Sequence, residues 1–155
     1  KGGTPGTNSA GKIVLDVGAT VSGVSSAIQS QADTVVYASE LFGTATITSA
    51  TTTSIVTFTT TSNRVYTIEA RFTVSNDTDD EGASFTLSAS FKNVAGTVTQ
   101  IGTAALITGF ADANQSGLSA NIDFSGTAIR ARLTTDSADT VNANGALKIY
   151  ERVLA

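Results

Sequence analysis

Two runs of alternating apolar and polar residues stand close together in the middle of the chain. In RVYTIEARFTVS (64–75) and ASFTLSASFK (83–92), aromatic and aliphatic side chains occupy every second position. A period of two is typical of a half-buried β-strand, whose successive side chains point to opposite faces. The runs therefore predict an antiparallel hairpin with Phe72 near Phe85 and Tyr66 near Phe91, or a register two residues away. A slip of one residue would expose every aromatic side chain.

Further short runs of this kind continue along the chain at the spacing of an all-β domain. Turn signals separate them, such as the AG pair at Ala95 and the NANG stretch at 142–145. Together with the hairpin they predict eight strands and a two-sheet antiparallel sandwich of jelly-roll kind. The remaining strands are predicted near 44–48, 54–60, 97–108, 119–124, 128–134 and 146–153.

The first part of the chain has a different composition. The opening KGGTPGTNSAG is rich in Gly, Ser and Thr, as in a flexible connector. We therefore divide the chain into an extended N-terminal segment, 1–42, and a sandwich domain, 43–155. KIVLDV (12–17) is a strand candidate, and 25–31 is either a short helix or a stretch whose apolar residues cover the domain edge. The sequence contains no Met, so we expect a longer polypeptide upstream of Lys1.

The composition restricts the chemistry that this chain can perform. Its 155 residues include no Cys and no His, which removes disulfides, thiolates and Ser-His-Asp nucleophiles. The net charge is −4 without a basic cluster, so we expect no nucleic-acid partner. No apolar run approaches the roughly 20 residues that span a bilayer, so we expect no membrane insertion. Charged residues make up only 14 %, as in extracellular or virion β-proteins.

Acidic residues cluster between the two hairpin strands. Asp77, Asp79 and Glu81 occupy the first, third and fifth positions of a calcium-loop pattern. The twelfth position is Ser88, which cannot supply the bidentate carboxylate of that pattern. The cluster is therefore either a Ca²⁺ site of another geometry or a solvated hairpin tip, and the sequence favours the tip. We expect no other cofactor.

A glycosidase would require two carboxylates on either side of a sugar-binding cleft. The available residues are Asp112, Asp123, Asp136 and Asp139. Three of them fall in predicted exposed turns, and Asp123 lies on the polar parity of a strand. Because the chain also has no Trp to stack on a sugar, we expect no enzymatic activity.

Two polar stretches are candidate subunit contacts. Arg130 and Arg132 share one face of their strand, and the Thr-rich stretch 49–62, which includes Thr52 and Thr57, contains no charge. These residues are either ordinary surface or an interface between copies, since nothing charged deters edge pairing there. Because the aromatics are largely taken up by the core faces, we predict that a homotrimer forms through Ser, Thr, Ala and Arg faces.

Three consecutive stretches resemble the C-terminal β-sandwich domain of tail fibres and related tail-tip proteins of tailed bacteriophages. They are YTIEARFTVSNDTDDEGASFTLSASFKN, VAGTVTQIGT and GLSANIDFSGTAIRARLTTDSADTVNANGALKIYERV. In the last stretch, Ala146 and Leu147 stand where that family often has a bulky aromatic residue. The resemblance implies a virion structural domain, usually trimeric, that meets the host surface beside other virion proteins.

The expected function is attachment to a bacterial surface glycan or protein without catalysis. The resemblance transfers no receptor-contact residue. One alternative is a capsid decoration protein or an extracellular filament subunit, in which KIVLDV adds a strand to a neighbour's sheet. Another is a secreted carbohydrate-binding module, although the few Tyr residues and the absence of Trp count against it.

Overall fold

The computed structural model describes residues 37–135 and 140–154, which contain eight strands and one turn of 3₁₀-helix. The strands are β1 (Tyr37–Ile47), β2 (Thr52–Thr59), β3 (Arg64–Asn76), β4 (Glu81–Val94), β5 (Thr97–Ala111), β6 (Ser119–Ser125), β7 (Ala128–Thr134) and β8 (Val141–Val153). The helical turn, η1, spans Ala113–Gln115. None of the described residues form a helix long and apolar enough to cross a membrane.

The strands form two antiparallel sheets, which confirms the predicted all-β sandwich. The large sheet has the order β1-β8-β3-β4-β5, and the small sheet has the order β2-β7-β6. Along the sequence, the paired strands β2 and β7 lie between the paired strands β1 and β8, as in a jelly roll. Strands β3, β4 and β5 instead form a meander that stays within the large sheet. The core lies between the two sheets.

The predicted hairpin has the predicted register. Phe72 pairs with Phe85 and Tyr66 with Phe91, and all four side chains are buried. The hydroxyl of buried Tyr66 donates to the carbonyl oxygen of Thr61 at 2.9 Å and accepts from its N–H at 2.7 Å. The polar end of this core residue is therefore satisfied by the preceding loop, as burial of a hydroxyl requires.

Strand β8 begins earlier than the sequence analysis placed it. The NANG stretch was predicted as a turn, but residues 142–145 lie within the strand. The prediction was wrong because the inward positions here are small: Val141, Ala143 and Gly145 face the core and continue the alternation. Gly145 pairs with Gly43 of β1.

The small sheet approaches the large one closely at this glycine pair. The register of β2 shifts at Ile55, where the strand bulges. A Cβ atom on Gly43 would lie 2.0 Å from the carbonyl oxygen of Ile55, and one on Gly145 would lie 2.9 Å from its Cγ2 atom. Both positions therefore require glycine, because a real Cβ atom does not approach its neighbours to these distances.

Part of the predicted N-terminal segment belongs to the large sheet, since β1 begins at Tyr37 and pairs with β8 from there. The strand candidate 12–17 and the helix candidate 25–31 lie outside the described residues. The division at residue 43 otherwise stays a prediction.

Not all aromatic side chains are used by the core. Phe42 is 74 % exposed on β1, and Phe110 is 69 % exposed on β5. The expectation that the core takes up the aromatics was wrong for these two, because both lie on the outer side of edge strands. Edge strands have a neighbouring strand on one side only.

Candidate ligand-binding face

Charged side chains line up across three adjacent strands on the outer face of the large sheet. Lys148 of β8 pairs with Glu40 of β1 on one side and with Glu69 of β3 on the other. Neighbouring strands lie about 4.8 Å apart, so Lys148 stands between two glutamates in this row. Arg71 lies on the same face of β3, two positions beyond Glu69. We call Glu40, Lys148, Glu69 and Arg71 the charged row.

The charge of Lys148 is reinforced by its neighbours. Its Nζ atom lies 5.2 Å from the centre of the Tyr150 ring, within the range of a cation–π contact. The hydrogen bond to Tyr150 is the main cause of the raised pKa of Lys148. The charges of Glu69 and Glu40 raise this pKa further, whereas desolvation lowers it. The amine is therefore fully protonated at neutral pH.

A shallow depression of about 120 Å³ opens within the charged row. Its floor is Ala146, which pairs with Arg71 on one side and with the exposed Phe42 on the other. This is one of the two positions at which the sequence departs from the phage-fibre pattern. The four residues of the charged row form the rest of its lining. Leu147, the other departure, faces the core and is fully buried.

The arrangement alternates hydrogen-bond acceptors and donors at the spacing of the strands. Carboxylates accept, whereas the lysine and arginine donate, and the exposed Phe42 adds an apolar surface at the edge. Such a set matches the hydroxyl groups and apolar faces of a sugar. In the sequence, Glu69 and Arg71 share the polar parity of the run 64–75 and can be read as an outward pair. Glu40, Lys148 and Phe42 could not be assigned to this face from the sequence, because only the register of β1 with β8 brings them alongside.

The acidic cluster lies at the tip of the β3–β4 hairpin. Asp77 and Asp79 are exposed in the turn, and Glu81 is the first residue of β4. Each takes part in a hydrogen bond: Asp77 accepts from the Asn142 side chain, Asp79 from Asn76 at 3.4 Å, and Glu81 from Gln115 at 3.2 Å. In residues 37–135 and 140–154, no three His, Cys, Asp or Glu side chains group closely enough to hold a metal ion. Ser88 lies within β4, on the outer face of the sheet.

Of the carboxylates considered for catalysis, the two that the structure describes make separate structural contacts. Asp112 ties the end of β5 to the start of β4, because its Oδ2 atom accepts from the N–H of Gly82 at 2.8 Å. Asp123 lies on the small sheet and forms ion pairs with two arginines. Asp136 and Asp139 lie outside the described residues.

Asp123 binds both arginines that were predicted to share a face. Arg130 donates to its two oxygens from Nε and Nη2, each at 2.8 Å, and Arg132 donates from Nη1 at 2.9 Å. Burial by itself raises the pKa of Asp123, but the hydrogen bonds from Arg130 and Arg132 outweigh it and leave the pKa below its ordinary value. The two guanidinium charges are thus partly neutralised within the chain.

The four predicted interface residues lie on one face of the small sheet, which we call the Arg–Thr face (Thr52, Thr57, Arg130 and Arg132). Thr57 pairs with Arg130, and Arg132 Nη2 donates to the carbonyl oxygen of Thr52 at 3.4 Å. Both threonines are exposed, and β2 is an edge strand. Whether another copy covers this face stays a prediction.

No protein-family model and no curated protein matches the sequence. Two solved structures with some likeness are tailspike proteins of Acinetobacter baumannii phages. The phage AM24 tailspike is 11 % identical with a TM-score of 0.41, and the match covers 79 % of this chain and 27 % of that one. The tailspike of bacteriophage Fri1, a capsular polysaccharide depolymerase, is 14 % identical with a TM-score of 0.40, covering 82 % and 21 %.

This chain therefore spans about a quarter of the length of either tailspike. A likeness at these TM-scores decides neither the fold family nor an activity.

Proposed function

We propose that this chain is a non-enzymatic attachment domain of a bacteriophage virion and that the outer face of its large sheet binds a bacterial surface glycan. The resemblance of 66–103 and 117–153 to phage fibre-tip domains supports the setting. The observation that carries the binding face is the charged row, in which Glu40, Lys148 and Glu69 stand in register across three strands.

The physical reason for choosing this face is its rigidity. Its side chains project from paired strands of a five-stranded sheet, so their Cα positions are fixed before a ligand arrives. A preorganised site loses less conformational entropy on binding than a site on mobile loops. Glu69 and Glu40 attract the Lys148 amine through space in the free protein, and sugar hydroxyl groups would add hydrogen bonds to these side chains.

Binding without cleavage is part of the proposal. Pockets that enclose a small-molecule ligand generally measure about 300–1,000 Å³. The depression at Ala146 holds only about 120 Å³. It suits one sugar edge of a longer chain rather than an enclosed reaction site.

The proposal also includes assembly as a homotrimer, together with other virion proteins at the particle surface. That part is supported by the sequence resemblance alone. A capsid decoration or filament subunit is the alternative setting within structural proteins, and the same surface would then serve a different partner.

The test measures binding of the 155-residue chain to bacterial cells and to purified capsular polysaccharide and lipopolysaccharide, by pull-down and calorimetry. We expect Glu69→Gln and Lys148→Met to weaken binding at least about tenfold, equivalent to 1.4 kcal/mol. Asp80→Asn is the matched control, since it removes one exposed charge at the hairpin tip. Asp80 has a φ angle of 54°, a conformation that asparagine tolerates.

Unchanged binding in the two charged-row variants would refute this face as the site. Release of reducing ends from the polysaccharide by the wild-type chain would refute the non-enzymatic part. Failure to bind any bacterial surface while the chain remains folded would refute the attachment function.

A further inference from the structure

Strand β5 is the longest strand that the described residues form, and it lies at an edge of the large sheet. Its 15 residues, TVTQIGTAALITGFA, include no charged side chain and no proline. It pairs on one side only, with β4. Natural sheet edges are usually protected by charges, prolines or short length. The length and composition of β5 provide none of these three protections.

Four apolar side chains of this strand are exposed, and we call them the β5 ridge. Ile101 is 46 % exposed, Leu106 and Ile107 are each 59 % exposed, and Phe110 is 69 % exposed. Taking roughly 200 Å² for each fully exposed residue, the ridge offers about 450 Å² of surface per copy. This summed area, which wraps around the edge of the sheet, is comparable with the largest apolar patch on a typical monomer, and such patches mark interaction sites.

The way the ridge is built indicates how it would make contact. Leu106 pairs with Leu87 and leans to the inner side, whereas Phe110 pairs with Ser84 and projects to the outer side. The register of β5 shifts twice along its length, once beside Ile107 and again between Ala105 and Ile101. Such bulges interrupt a ladder and twist an edge away from strand addition. Contact would therefore be made by side-chain packing around the edge rather than by extending the sheet.

We propose that the β5 ridge is the surface through which copies of this chain associate. Two ridges together contribute about 900 Å², which approaches the roughly 1,000 Å² expected of a specific interface even before backbone and polar neighbours are counted. Each copy carries a net charge of −4, so identical copies repel one another. An uncharged ridge is a surface on which that repulsion is least.

The Arg–Thr face is the competing surface. Its two arginines already bind Asp123 within the same chain, and their side chains are only 27 % and 25 % exposed. Their charges are thus partly satisfied without a partner, whereas the apolar ridge remains in contact with water. This inference goes beyond glycan binding and rests on the proposed function only in assuming self-association. It assigns the subunit contact to β5 instead of the Arg–Thr face.

The test measures the mass of the chain by light scattering over a concentration series. The ridge variant combines Ile107→Lys with Phe110→Ser, since both residues are exposed and their replacement leaves the core intact. Phe42→Ser is the matched control, because Phe42 is 74 % exposed on the opposite edge strand. Thr57→Lys tests the Arg–Thr face. Circular dichroism and thermal melting confirm that each variant is folded.

We expect a wild-type multimer that Phe42→Ser and Thr57→Lys leave intact, and a ridge variant that is monomeric at concentrations at least tenfold higher. A wild-type chain that remains monomeric at all concentrations would overturn the inference. So would a multimer that Thr57→Lys dissociates and the ridge variant does not. A dimer dissociated by the ridge variant would support the ridge and refute only the proposed homotrimer, whereas glycan binding is measured independently of both.

Discussion

Replacing Gly43 with alanine is the sharpest test of how the two sheets meet. A Cβ atom there would lie 2.0 Å from the carbonyl oxygen of Ile55, compared with an ordinary closest contact of 3.4 Å. The obstacle is backbone, so no side chain can rotate away and β2 must move by more than 1 Å. In an unstrained position, Gly→Ala would instead stabilise the protein by about 0.4–1 kcal/mol through the unfolded state.

Overpacking of a core generally costs about 1–3 kcal/mol, and a backbone obstacle lies at the upper end or beyond. We therefore expect Gly43→Ala to lower the free energy of unfolding by about 3 kcal/mol or more. For a domain of this size, that corresponds to a fall in melting temperature of about 12 °C. Gly145→Ala should cost less, about 1–2 kcal/mol, because its obstacle is the Cγ2 atom of Ile55, which belongs to a side chain.

Urea unfolding monitored by circular dichroism measures both effects, with Thr44→Ala as the control at the neighbouring exposed position. We expect the control to stay within about 0.5 kcal/mol of wild type. If Gly43→Ala is as stable as wild type, or more stable, then β2 does not cross β1 at the observed distance, and the account of the glycine pair is wrong. An equal cost at Gly43 and Gly145 would contradict the distinction between backbone and side-chain obstacles.

Three further predictions concern the core, the ion pair and the acidic tip. Alanine at Phe72, Phe85 or Phe91 should each cost about 3–5 kcal/mol in urea unfolding, because all three side chains are buried in the core; a loss below 1 kcal/mol would contradict that packing. Asp123→Asn should cost up to about 1 kcal/mol at neutral pH. Because the folded-state pKa of Asp123 is lowered, its contribution is complete above the ordinary value near 4 and disappears as the pH falls through the lowered pKa. The difference in melting temperature between wild type and variant should therefore shrink as the pH falls below 4, and a difference that stays constant there would refute the assignment. EDTA should shift the melting temperature by no more than about 2 °C, whereas stabilisation by several kcal/mol on adding Ca²⁺ would show that the hairpin tip holds a metal.

Alternation along the sequence predicted those parts of the fold in which large side chains mark the inner face. The β3–β4 register follows from Tyr66, Phe72, Phe85 and Phe91, since any odd shift would place these rings in water. The start of β8 was missed because its inward residues are small and Asn and Gly favour turns in isolation. Only the approach of β2 explains why Gly145 must be small and can still belong to a strand.

The candidate site was less accessible from the sequence than the fold. Glu40 and Lys148 are far apart along the chain, and neither lies in a recognisable motif. They meet because β8 lies between β1 and β3 in the sheet. Tertiary packing, rather than local propensity, determines this strand order. Glu69 and Arg71 were visible as an outward pair because one strand carries both.

The nested strand pairs determine the order in which this domain can form. Thr46 of β1 and Asn142 of β8 bond through their side chains although they are 96 positions apart. At about 5–20 residues per second, a ribosome takes roughly 5–20 s to make the chain between them. The β3–β4–β5 meander can pair during that interval through its short turns, whereas β1 must wait. We therefore expect folding to be slow, as for other folds dominated by distant contacts, and to be completed when β8 enters between β1 and β3.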